Sequence, residues 1–271
     1  MLVKRDLKFA YVITTLVTIL LFVSSIVGLV MEGIYGDDPL LLPQLLGQDV
    51  VSLALGVPLL VVAMWLTRRG STRGLLLWAG ALFYVVYSYT YYIFGVQFNF
   101  LFLVYIAMVS LSLYGLLALL ISFATEAIKA QFKDTMPARL IGGFLVAMSL
   151  VFALIWLVRI VPKLPGGTIG EVDRLVYVMD LTILLPALCF GGVWLWQRKP
   201  WGYALGGLLL VKVVTLGLTL FAMAGFSIRD NQPIDIGFLV VLVVMTLGAL
   251  VGAIIYFKNI RSSKVQISPA D

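Results

Sequence analysis

Eight runs of apolar residues, each closed by a short polar connection, govern what this chain can fold into. They cover residues 9–30, 45–66, 74–94, 100–123, 140–161, 175–196, 202–224 and 234–257. A membrane-spanning helix needs about 20 predominantly apolar residues. A helix also satisfies its own backbone hydrogen bonds, which hydrocarbon cannot do. Only 12% of the 271 residues are charged, against about 25% in a soluble domain. The expectation is an all-α polytopic membrane protein with eight transmembrane helices. The first run is too long for a signal peptide and lacks a small-residue cleavage site.

The basic residues set the expected topology. With the chain start inside, fourteen of the nineteen fall in inner loops and tails. Arg159, Lys163, Arg174 and Arg229 fall outside, and Lys212 lies within the seventh run. Such a bias predicts both termini cytoplasmic, in a multipass protein of the cytoplasmic (inner) membrane. The net charge of +6 is then a topology signal in short loops, and nucleic acid is not an expected partner.

A second pattern divides the chain. GQDVVSLALGVPLLVVAMWLTRRGSTRG, from Gly47 to Gly74, is answered by MDLTILLPALCFGGVWLWQRKPWG, from Met179 to Gly202. Each begins with an acid, Asp49 or Asp180, and passes through a proline, Pro58 or Pro186. Each then reaches a basic turn and a glycine that opens the next run. Acid to glycine is 25 residues in the first copy and 22 in the second. The expected organisation is two tandem four-helix repeats of parallel topology, with a pseudo-twofold axis along the membrane normal. The first covers 1–123 and the second 140–259; 124–139 forms a cytoplasmic linker and 260–271 a polar tail.

What is missing narrows the chemistry. The chain has no histidine, and its one cysteine, Cys189, lies inside an apolar run. Imidazole ligation and His-based acid–base catalysis are excluded, and a lone buried cysteine behaves as a small hydrophobe. No metal and no cofactor are expected. Nor does any nucleophile, phosphate-loop, dinucleotide or paired-acid pattern point to an enzyme.

Ionisable residues within membrane helices are costly and usually face the bundle interior or a cavity. Three qualify: Asp49, Asp180 and Lys212. Lys212 takes the place of Tyr84 when Gly202 is set on Gly74. It lies roughly 9 Å in depth from Asp180, within reach of an internal ion pair. Near Asp49 stand Gln48, Ser52 and the helical face of Tyr84, Tyr87 and Tyr91. Tyr89, Tyr91 and Tyr92 also suit an interfacial aromatic belt.

The expected function is a transporter or solute-binding protein with a cavity between the second, third, sixth and seventh helices. It would recognise a small cationic or zwitterionic solute, with coupling to a proton. Asp49, Asp180, Lys212, Tyr84, Tyr87, Gln48 and Ser52 are the candidate binding residues. The alternative is a membrane sensor or structural subunit, whose buried polar groups serve helix association. Glycines at Gly202 and Gly206, and at Gly248 and Gly252, form small-residue faces suited to close packing, in the monomer or in a homo-oligomer.

The segments GQD…RRGSTRG, YSYTYYIFGVQFN and LFLVYIAMVSLSLYGL resemble a group of bacterial multipass membrane proteins. The resemblance covers mainly 47–117. It implies an eight-helix bacterial membrane protein and no particular activity.

Overall fold

The structure, a computed structural model, describes residues 2–36, 39 and 41–261; most of the expected polar tail therefore lies outside the described residues. Among the described residues, eight helices are long and apolar enough to cross a membrane. They are α1 (Lys8–Val30), α2 (Leu42–Arg68), α3 (Thr72–Gly95), α4 (Phe102–Ser122), α5 (Ala138–Ile160), α6 (Glu171–Trp196), α7 (Pro200–Arg229) and α8 (Ile236–Lys258). Their outward faces carry side chains such as Leu103, Leu140, Leu154, Phe190 and Val244, all exposed. Such a surface suits lipid contact, where exposed apolar area carries no penalty.

Several helix starts lie earlier than the apolar runs. Proline has no N–H to lose in a first turn, so Pro43 and Pro200 open α2 and α7. Glu171 and Asp173 occupy the first turn of α6, where carboxylates complement the free backbone N–H groups. The linker between the two halves contains a short helix, Thr125–Ala130, with Glu126 in its first turn, Lys129 in its last and Ile128 buried.

Helices α2 and α6 each contain five residues of π-helix, Ser52–Gly56 and Asp180–Leu184. In both, a proline stands two residues beyond the widened turn, Pro58 and Pro186. A proline inside a helix removes one hydrogen bond and crowds the carbonyl four residues before it. Widening that turn relieves the crowding. A shift of 128 residues, from Ser52 to Asp180, carries one π segment onto the other. The same shift carries Val57–Arg68 onto Leu185–Trp196, Gly74 onto Gly202 and Tyr84 onto Lys212. It does not carry Asp49 onto Asp180. Asp180 falls on Ser52, and Asp49 falls on Tyr177. The expected matching of the acids is thus offset by nearly a turn, because the prolines and their π turns set the register.

At one end of the bundle the chain closes on itself twice. Lys4 N–H donates to the Ser122 carbonyl at 2.7 Å, and Ala124 N–H to the Leu2 carbonyl at 2.9 Å. Likewise Lys133 N–H donates to the Asn259 carbonyl at 2.9 Å, and Arg261 N–H to the Gln131 carbonyl at 2.7 Å. The Arg73 guanidinium caps the end of α8 through the Phe257 and Ile260 carbonyls, at 3.0 and 2.8 Å. The chain start, the linker and the end of α8 therefore share one basic end.

Helices α3 and α7 are the most buried spans and cross at the centre of the bundle. Gly80 makes the crossing possible: a Cβ there would lie 2.5 Å from Val211 Cβ and 3.0 Å from the Leu208 carbonyl oxygen.

Candidate functional site

Asp180 opens the widened turn of α6 and is 6% exposed. Its Oδ1 accepts a hydrogen bond from the Tyr87 hydroxyl of α3, and its Oδ2 accepts one from Trp156 Nε1 of α5 at 2.8 Å. The carboxylate forms part of the wall of a cavity of about 260 Å³. Tyr87, Phe152, Trp156, Tyr177 and Phe238 contribute rings to the wall, and leucine, valine and methionine side chains supply most of the rest. Trp156 packs against Tyr177 and Phe238, with ring centroids 4.9 and 5.7 Å apart. The lining extends to Arg159 and Asp173, at the end of the bundle opposite the basic one. There Arg159 pairs with Asp235 at 2.6 Å, its guanidinium 5.1 Å from the Phe238 ring centroid. Asp235 precedes α8 and lies outside the spans. The Phe238 backbone N–H, helped by Arg159, holds its carboxyl below the ordinary carboxylate range.

Lys212 is fully buried on α7, with 0% exposure. Its Nζ lies 3.8 Å from the centroid of the Tyr87 ring and 5.8 Å from that of Tyr84. It has no hydrogen-bond partner among the described residues. The expected direct ion pair with Asp180 is not formed. Tyr87 stands between them, its ring face toward the amine and its hydroxyl on the carboxylate.

Asp49 is buried elsewhere, at 1% exposure. Tyr35 hydroxyl donates to its Oδ2 at 2.5 Å. Tyr92 hydroxyl lies 3.1 Å from its Oδ1 and 3.2 Å from the Leu45 carbonyl, sharing one proton between them. The rings of Tyr89 and Tyr105 pack on Tyr92, with centroids 4.9 and 5.0 Å away. Gly28 of α1 leaves the room this cluster occupies, since a Cβ there would overlap both Asp49 Oδ2 and the Tyr35 hydroxyl. Between the two acids, Gln48 Nε2 donates to the Tyr84 hydroxyl at 2.6 Å and to Ser52 Oγ at 3.0 Å.

Of the seven candidate residues, Gln48, Tyr87 and Asp180 line the cavity. Asp49, Ser52, Tyr84 and Lys212 do not; they are packed behind it. The cavity also reaches beyond the expected four helices to α5 and α8, through Trp156 and Phe238. The belt reading of Tyr89 and Tyr92 is corrected: both are buried around Asp49.

Sequence reasoning missed Tyr35, Tyr92 and Trp156. Tyr92 had a signal, because it lies eight residues from Tyr84 and four from Ser88, on one helical face. Trp156 reads as an interfacial anchor, and Tyr35 sits in a connection, where spacing gives no direction. Among the described residues, no three acidic or cysteine side chains gather as a metal site would require. Family models, curated proteins and solved structures give no match to this chain, so the side chains alone carry the functional argument.

Proposed function

We propose that this protein is a membrane transporter or solute-binding protein whose cavity takes a small solute through a positively charged amine. The carrying observation is Asp180, a buried acid on the wall of a largely apolar cavity, with the rings of Tyr87, Phe152, Trp156, Tyr177 and Phe238 in the same lining. A carboxylate recognises an ammonium by charge and hydrogen bonding. Aromatic faces add about 0.5–2 kcal/mol for each well-placed ring. Tyr87 and Trp156 hold the two oxygens of Asp180 in a fixed orientation, which lowers the cost of ordering on binding. For a zwitterionic solute, Arg159 at the cavity mouth offers the matching cation.

In this reading the protein consists of two four-helix repeats. The support is the 128-residue recurrence of α2–α3 in α6–α7 and the paired closures at the basic end. The basic end faces the cytoplasm, as the distribution of lysine and arginine favours, so the cavity opens outward from the inner membrane.

Protein purified in lipid nanodiscs and analysed by mass spectrometry tests the assignment. Wild type should retain an amine-bearing small molecule that Asp180→Asn loses. Equal retention by both proteins would remove Asp180 from the site.

A further inference from the structure

We infer that Lys212 is the coupling group of this site: binding a cationic solute at Asp180 displaces one proton from the Lys212 amine. The inference rests on the proposed amine site and adds its coupling. It starts from charge balance around Tyr87.

Among the described residues, only one charged group, Asp180, presents itself to both the cavity and Lys212, and Tyr87 joins the two sides. Lys212 is 0% exposed and lacks a hydrogen-bond partner among the described residues. Its ammonium is therefore stabilised by the Tyr87 ring face and by the Asp180 carboxylate beyond it. An uncompensated buried cation is costly. A solute cation that takes Asp180 places a second positive charge against the same acid.

The other groups around Lys212 offer no substitute. On α3 they are the phenols of Tyr84 and Tyr87, and on α6 Asp180 itself. On α2, Asp49 is already held by Tyr35 and Tyr92. Helix α8 contributes Thr246 beside Gly217 and Tyr256 beside Gly206, both neutral. The linker helix brings Glu126 and Lys129 at the basic end, about three turns away. Solute and proton thus exchange one for one. The ammonium of Lys212 becomes a neutral amine, its proton leaves to bulk water, and the net charge of the site is unchanged.

The test is calorimetry of phenethylammonium chloride binding to the protein in nanodiscs, in phosphate and in MOPS, a buffer without a primary amine, at one pH. The difference in heat between the buffers counts released protons. Wild type should release about one proton per amine bound. Lys212→Met should bind more tightly and release none. Lys212→Arg keeps a charge that cannot be given up and should lose at least tenfold in affinity. Wild-type binding without proton release would overturn the inference and leave the amine site standing. Failure of wild type to bind amines at all would overturn the amine site, and the coupling with it.

Discussion

Helix α2 meets α7 in a closed contact, whereas the corresponding start of α6 stands off from α3. Under the 128-residue shift, Gly47 corresponds to Leu175 and Met223 to Gly95. Gly47 lies against the backbone of α7, where a Cβ would fall 2.5 Å from Met223 N and 2.8 Å from the Ala222 carbonyl carbon. On the other side the sizes are exchanged. Leu175 reaches Gly95 with its side chain, its Cδ2 3.4 Å from where a Cβ would be. The first part of α6 accordingly packs on α3 far less extensively than α2 packs on α7. One acid is sealed among tyrosines and the other borders a cavity. Where the single glycine sits accounts for much of that difference.

The largest effect should follow from breaking the closed contact. Gly47→Leu drives a side chain into backbone, and backbone cannot move aside as a side-chain tip can. The expected cost exceeds about 3 kcal/mol, read as loss of folded protein on thermal unfolding in detergent. Tyr35→Phe is gentler, removing one donor from a buried carboxylate. It should cost about 1.5–3 kcal/mol of stability and leave amine affinity unchanged. A fall in affinity would mean that the two acids act as one site.

The open side should answer the other way. Trp156→Phe removes the Nε1 donor to Asp180 and should weaken phenethylammonium binding by more than tenfold by titration, as the roughly 1.5–3 kcal/mol of a hydrogen bond to a charged group implies. The smallest effect belongs to the mouth. The Asp235 carboxyl is held low by the Phe238 N–H and Arg159. Its contribution to stability is present above the ordinary carboxylate value of 3.8 and is lost as pH falls below it. The difference in melting temperature between wild type and Asp235→Asn should therefore shrink on acidification through that range.

Much of the scaffold was legible in the chain, because span length and apolar continuity are local properties. Pro58 and Pro186 marked where α2 and α6 would be disturbed, yet the choice of which turn widens depends on packing. The acid pairing misled for the same reason, since identity at Asp49 and Asp180 does not carry register. Lys212 and Asp180 were recognisable as neighbouring buried charges from their depth. That Tyr87 would come between them was not, because it requires α3 to pack against both α7 and the first part of α6. Tyr35 shows the limit most plainly: it reaches Asp49 only after a connection folds back over α1 and α2.

The central claim is that Asp180 binds a cation and Asp49 does not. Titrating phenethylammonium chloride into nanodisc-embedded wild type, Asp180→Asn and Asp49→Asn tests it most directly. The account predicts wild-type affinity in Asp49→Asn, despite a lowered melting temperature, and a loss of at least tenfold in Asp180→Asn. Unchanged affinity in Asp180→Asn, or a loss confined to Asp49→Asn, would contradict it.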